Sequence, residues 1–128
     1  MRWVIDASSA VGYLLGDGSE IERSGMLGDI HAPSLFDVEV TQTLRGLLRG
    51  SKIDLTTAER ARDDLAQIGV RRHPDMPLLR RAWQLRDVCT TYDALYVALA
   101  EGLDATLLTR DAPLASGVES LIEVVVSS

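Results

Sequence analysis

Five short β-prone runs, Arg2 to Ile5, Ile30 to Ala32, Val70 to His73, Ala105 to Thr109 and Ile122 to Val126, are each separated from the next by at least one helical stretch. Strands joined across a helix run parallel, so this alternation predicts a parallel sheet covered on both faces. The expected class is α/β, three layers deep (α/β/α), with a central sheet of about four or five strands. Caps and stops mark the helices: Ser8 to Leu15 closed by Gly16, Ser19 to Leu27, and a third from Pro33-Ser34 to about Arg49. Thr56 and Glu59 form a capping-box pattern for a helix through Ile68 that stops at Gly69. Another begins near Pro77 and passes Trp83 and Leu85, Thr91 caps the next, which ends before Gly102, and a short turn follows Asp111.

The 128 residues, 46% hydrophobic and 25% charged, suit one domain around one core, residues 1–128. No apolar run has the length of a bilayer span, so no membrane partner is expected. The apolar stretch at the amino terminus ends at Asp6, too soon for a signal-peptide core, which predicts a cytoplasmic protein. Cys89 is the only cysteine, which excludes an internal disulfide and multi-cysteine zinc sites and leaves a small buried hydrophobe as its reading. With 13 basic residues against 19 acidic ones, net −6, a bulk positive field for polyanions is absent. Any chemistry on nucleic acid must rest on a local site. Lys52 is the only lysine, and the arginines that make up the remaining basic residues carry a fork suited to phosphate or carboxylate.

Several familiar signatures are missing. There is no G-x-x-x-x-G-K-[ST] loop, no complete dinucleotide fingerprint, no H-E-x-x-H and no G-x-S-x-G. His31 and His73 stand alone at probable strand ends and read as satisfied polar residues at a sheet margin. The aromatics Trp3, Tyr13, Phe36, Trp83, Tyr92 and Tyr96 are scattered in apolar company and read as core.

Acids hold the remaining chemistry. Asp6 and Asp111 fall just beyond the carboxyl ends of strands, where open parallel sheets gather reactive groups, although each also fits a helix cap. Asp93 precedes Ala94-Leu95-Tyr96-Val97-Ala98-Leu99-Ala100, a helix apolar on every face and therefore buried. An acid at its start is pushed inward and needs a cation or several hydrogen bonds to stay ionised. Glu39 shares a stripe with Gln42, Thr43 and Gly46, with Asp37 two residues away, and periodicity does not choose between the two acids. Should these carboxylates converge, repulsion at ~4 to 5 Å amounts to several kcal/mol at intermediate dielectric. A divalent cation relieves it, and oxygen-only ligands select magnesium or manganese over zinc.

In their order along the chain, these residues resemble the PIN-domain family of metal-dependent nucleases, in particular the VapC-type toxins of bacterial toxin-antitoxin pairs. The matching pieces cover nearly the whole chain: Val4-Ile5-Asp6-Ala7-Ser8, Pro33-Ser34-Leu35 with Glu39 and Leu44-Arg45, Thr91 to Glu101, and Leu107-Leu108-Thr109-Arg110-Asp111. The resemblance implies a four-carboxylate site of Asp6, Glu39, Asp93 and Asp111 that holds Mg2+ or Mn2+ and cuts RNA. It selects Glu39 over Asp37. Asp6 and Asp93 become direct ligands, Asp111 completes the pocket, Glu39 positions or deprotonates the attacking water, and Ser8 and Thr109 orient carboxylates. It further implies a homodimer and a cognate antitoxin whose tail fills an apolar groove and obstructs the pocket. Two places depart from the pattern: Gln42 and Val88 stand where relatives often carry asparagine, and Val88 lacks the amide. Arg45, Arg49 and Lys52 are candidates for steering the RNA backbone, against a plain reading as a solvated helix end.

Three other readings compete with this one. A receiver-like phosphoacceptor module needs an acid pair near the first strand and a late lysine, whereas Lys52 lies mid-chain; a haloacid-dehalogenase-like phosphatase needs Asp-x-Asp, and Ser8 fills the second place. A catalytically silent PIN-fold binding subunit is the remaining alternative, and the intact acids argue against it.

Overall fold

The computed structural model describes residues 1–127. Strands β1 (Arg2–Ile5), β2 (Asp29–Pro33), β3 (Arg71–His73), β4 (Thr106–Thr109) and β5 (Val124–Val126) form one parallel sheet in the order β3-β2-β1-β4-β5. Registers such as Val4 opposite His31 on one side and Leu107 on the other fix β1 at its centre. Trp3, Val4 and Ile5 are all buried, as are all four residues of β4, because helices cover both faces and no solvent side remains to impose alternation. The edge strands are three residues long, and β3 carries Arg71 and Arg72, charges that discourage edge-to-edge pairing.

Helices α1 (Ala7–Leu14), α2 (Glu20–Met26), α3 (Leu35–Arg49) and α4 (Leu55–Leu65) form one layer. In the other, α5 (Leu79–Gln84), preceded by a 3-10 turn at Met76–Leu78, packs on α6 (Thr91–Leu103), which crosses β1, β2 and β4. A short α7 (Ala112–Val118) joins β4 to β5. The chain is therefore α/β/α with five parallel strands. Tyr96, Phe36, Ile5, Ile30, Leu107 and Leu108 are the largest apolar side chains wholly enclosed between these layers.

Local capping differs from expectation in places. Asp54, not the Thr56–Glu59 pair, caps α4 by accepting the Thr57 amide at 2.8 Å, and the helix ends at Leu65, short of Ile68. Thr90 rather than Thr91 caps α6, which runs through Gly102 to Leu103 because Asp104 takes the left-handed turn at φ 51°. His31 and His73 do not stand alone: β2–β3 pairing brings His31 Nδ1 to 2.8 Å from His73 Nε2, with His31 Nε2 2.8 Å from Asp29 Oδ1. Trp83 and Tyr92 are 68% and 61% exposed, not core, since each sits on the outer side of a helix whose inner side is filled by alanine and leucine. Arg86 covers the Trp83 ring at 5.0 Å.

Candidate active site

The order in which successive strands are added reverses beside β1: β2 and β3 lie on one side of it, β4 and β5 on the other. The crevice beyond the carboxyl ends of β1 and β4 is the place where such sheets bind ligands. Asp6 leaves β1 there and caps α1 by accepting the Ser9 amide at 3.1 Å. Asp111 leaves β4 beside it and caps α7 by accepting the Leu114 amide at 2.9 Å. The cap readings of both acids are thus correct, and they leave further oxygen lone pairs free.

Asp6 is the most enclosed of the four, 8% exposed. Ser8 donates to its Oδ1 at 2.7 Å and the Thr109 hydroxyl donates to its Oδ2. Burial pushes its carboxyl above the ordinary value, against the Thr109, Ser8 and Ser9 hydrogen bonds that favour the charge. Glu39, half-buried on α3, accepts from the Tyr96 hydroxyl at 2.7 Å. Burial raises it too; Tyr96 opposes the rise, and the Asp93 and Asp6 carboxylates add to it. Asp93 is held half-buried in the first turn of α6 and is raised by burial, then by Asp111, with Asp6 adding a smaller push against the Thr90 hydroxyl. Asp111 lies exposed.

Glu39 thus feels Asp93 and Asp6, and Asp93 feels Asp111 and Asp6, so the fold sets acids from distant parts of the chain within electrostatic reach of these two. None of them is ion-paired among the described residues; the arginine pairs lie elsewhere. Among those residues no three His, Cys, Asp or Glu side chains close into a ready ion cage. The Asp6, Glu39 and Asp111 carboxylates are each held by a hydrogen bond from the scaffold. The donor chemistry still fits a hard divalent cation, being carboxylate oxygen throughout with neutral hydroxyls behind it.

Asp37, the competitor of Glu39, is engaged by Arg72, with Nη2 at 2.9 Å from Oδ1 and Nε at 3.0 Å from Oδ2, tying α3 to β3. A cleft of about 360 Å³ beside Glu39 is lined by Ala7, Leu35, Val38, Gln42, Thr43 and Tyr92. Gln42 therefore keeps an amide at the site's edge, whereas Val88 packs beside Gly117 of α7. Arg45, Arg49 and Lys52 are exposed at the far end of α3 and just beyond it. A larger cavity, about 520 Å³, opens at the opposite end of the sheet among Arg2, Glu101, Asp104 and Glu123 and is lined by none of the four acids. Tyr96 is the site residue that reading the sequence as core missed. A tyrosine on a wholly buried helix needs a partner for its hydroxyl, and that requirement was the available signal.

The family model described as PIN domain matches residues 3–116. The chain belongs to the PIN domain family. Ribonuclease VapC1 of Mycobacterium tuberculosis is 43% identical to this PIN domain over 117 residues, 88% of each chain, which makes it of the VapC type. Among solved structures, PAE2754 from Pyrobaculum aerophilum superimposes with a TM-score of 0.69 at 23% identity, covering 96% of this chain and 83% of that one. VapBC2 from Rickettsia felis, solved bound to a DNA fragment from the promoter, gives 0.66 at 12% identity over the whole of both chains. Both share the fold of this PIN domain.

Proposed function

We propose that this PIN domain is a Mg2+- or Mn2+-dependent endoribonuclease, the toxin of a toxin-antitoxin pair. The observation that carries the reading is that Glu39 and Asp93 each feel other acids of the set Asp6, Glu39, Asp93 and Asp111 near the sheet's switch point, with no basic side chain ion-paired to any of the four among the described residues. The name of the Mycobacterium tuberculosis relative supports ribonuclease chemistry.

Asp6 and Asp93 would hold the ion, with Asp111 completing its shell. A bound divalent ion supplies charge neutralisation at the scissile phosphate and a more acidic water. Glu39 has Oε1 fixed by Tyr96, which leaves Oε2 to take the proton of the attacking water. Its raised pKa brings it closer to the range in which a general base works at neutral pH. Ser8 and Thr109 keep both Asp6 oxygens oriented. The net negative chain leaves RNA capture to local basic residues, with Arg45, Arg49 and Lys52 as the positions that would meet its backbone.

A cognate antitoxin would lay an apolar segment into the groove between α3 and α4, lined by Leu44, Leu48, Leu55 and Ala58, or between α1 and α2, where Tyr13, Leu14, Met26 and Leu27 gather. Leu27 is 81% exposed. Exposed Val38 and Tyr92 at the cleft support pairing of two copies as a homodimer. Among the described residues no helix is long and apolar enough to cross a membrane.

Incubation of purified protein with structured RNAs, with Mg2+ or with chelator, tests the reading. Cleavage should require the metal and vanish in Asp6→Asn and Asp93→Asn. Cleavage that survives chelation overturns metal dependence, and no cleavage under any condition leaves the catalytically silent binding subunit as the answer.

A further inference from the structure

Arg110 stands between Thr109 and Asp111, both in the candidate site, yet its side chain enters a separate enclosure. Nε donates to Glu22 Oε2 and Nη2 to Glu22 Oε1, each at 2.8 Å. Glu22, on α2, is fully buried, and its oxygens also accept the Ser19 amide at 2.9 Å and the Ser127 hydroxyl at 2.8 Å. Nη2 reaches the Asp17 carbonyl at 3.3 Å as well. Gly12 on α1 leaves the space for this: a Cβ there would fall 2.0 Å from Arg110 Nη2. The main chain at the same place leads to the acids. The Arg110 amide donates to Ser8 Oγ at 3.3 Å, and Ser8 donates in turn to Asp6 Oδ1. The Thr109 hydroxyl donates to Asp6 Oδ2 and accepts the Asp111 amide at 3.0 Å.

A carboxylate enclosed this completely is costly unless every oxygen is satisfied, and a two-point fork fixes orientation as well as distance. The four-acid site uses neither Glu22 nor the Arg110 side chain. We propose that Glu22 and Arg110 are positioning residues: their fork locks the turn between β4 and α7 against α1 and α2, and so sets where Asp111 and the Thr109 hydroxyl stand relative to Asp6. The proposal rests on the reading of the four acids as the hydrolytic centre. Lysine cannot replace Arg110, because a single ammonium does not span both oxygens in a fixed plane. Gly12→Ala reaches the same fork without touching either charge.

The test compares wild type, Glu22→Gln, Arg110→Lys, Gly12→Ala and Leu65→Ala, the last a core truncation on α4, which carries none of the site residues. RNA cleavage with Mg2+ is measured well below each melting temperature, alongside 1H–15N spectra of the Arg110 and Asp111 amides. The three fork variants should lose about 10- to 100-fold in kcat with KM held within about twofold, and the two amides should shift. Leu65→Ala should lose stability without either effect. Unchanged kcat in folded fork variants, or an equal loss in Leu65→Ala, overturns the proposal. If wild type cuts no RNA, the catalytic reading fails separately, and the spectra decide: shifted amides support the positioning role and unmoved ones end it.

Discussion

The Thr109 hydroxyl on β4 donates to Asp6 Oδ2 at the end of β1, across 103 residues of sequence, and Thr109 Oγ1 in turn accepts the Asp111 amide at 3.0 Å. One wholly buried side chain therefore links two acids of the candidate site. Thr109→Val keeps the shape but leaves Asp6 short of a donor and Asp111 short of an acceptor. It should cost about 1–3 kcal/mol in denaturant melts and at least ~10-fold in cleavage rate, with Thr109→Ser restoring most of both. A valine variant as stable and as active as wild type would show that the link is incidental.

Tyr96→Phe removes the donor to Glu39 Oε1. That hydrogen bond lowers the Glu39 pKa, so its loss moves the acidic limb of the pH–rate profile upward. The rate at neutral pH should fall about 10-fold, and stability by about 1–2 kcal/mol. An unmoved acidic limb would remove Glu39 from the role of base.

Asp93→Asn should abolish cleavage and stabilise the fold. Burial and the facing Asp111 and Asp6 carboxylates raise Asp93, so its charged form is worse off folded than unfolded. Deleting the charge removes that penalty, and calorimetry should show a melting temperature higher by roughly 2–5 °C at pH 7. A lower melting temperature would mean that the charge is compensated by something beyond these acids.

Metal binding should be visible without substrate. Mg2+ at about 100 times its dissociation constant should stabilise wild type by ~2.7 kcal/mol, read as a rise in melting temperature that chelator reverses. Asp6→Asn should lose the rise. An equal rise in that variant would place the ion elsewhere.

Glu22 governs the acid end of the stability curve. Burial alone would raise it, but Arg110, Ser19 and Ser127 bring it down from the ordinary 4.5 to about 2. A depressed carboxyl stabilises the fold above its unfolded value and loses that contribution as pH falls through its folded one. Wild type should therefore shed stability between about pH 4.5 and 2, by an amount on the order of a few kcal/mol. Glu22→Gln should start less stable and show a flatter curve over that window in pH-dependent melts.

Much of this arrangement is legible in the sequence alone. β-branched and leucine-rich runs set between capped helices can be buried only in a covered parallel sheet, because no face alternates polar with apolar. The apolar sequence after Asp93 demanded a buried helix for the same reason, and Asp6 and Asp111 followed as residues just past strand ends. Periodicity could not separate Glu39 from Asp37, which occupy neighbouring places on one helix; Arg72, from β3, separates them by pairing with Asp37. Nor could local pattern find the Tyr96–Glu39 bond, the meeting of His31 with His73, or the enclosure of Glu22 by Arg110, since each joins residues dozens of positions apart. Hydrophobic period and capping are short-range quantities carried by the chain itself, whereas a hydrogen-bond partner or a repelling charge exists only once the sheet order has put two distant strand ends side by side.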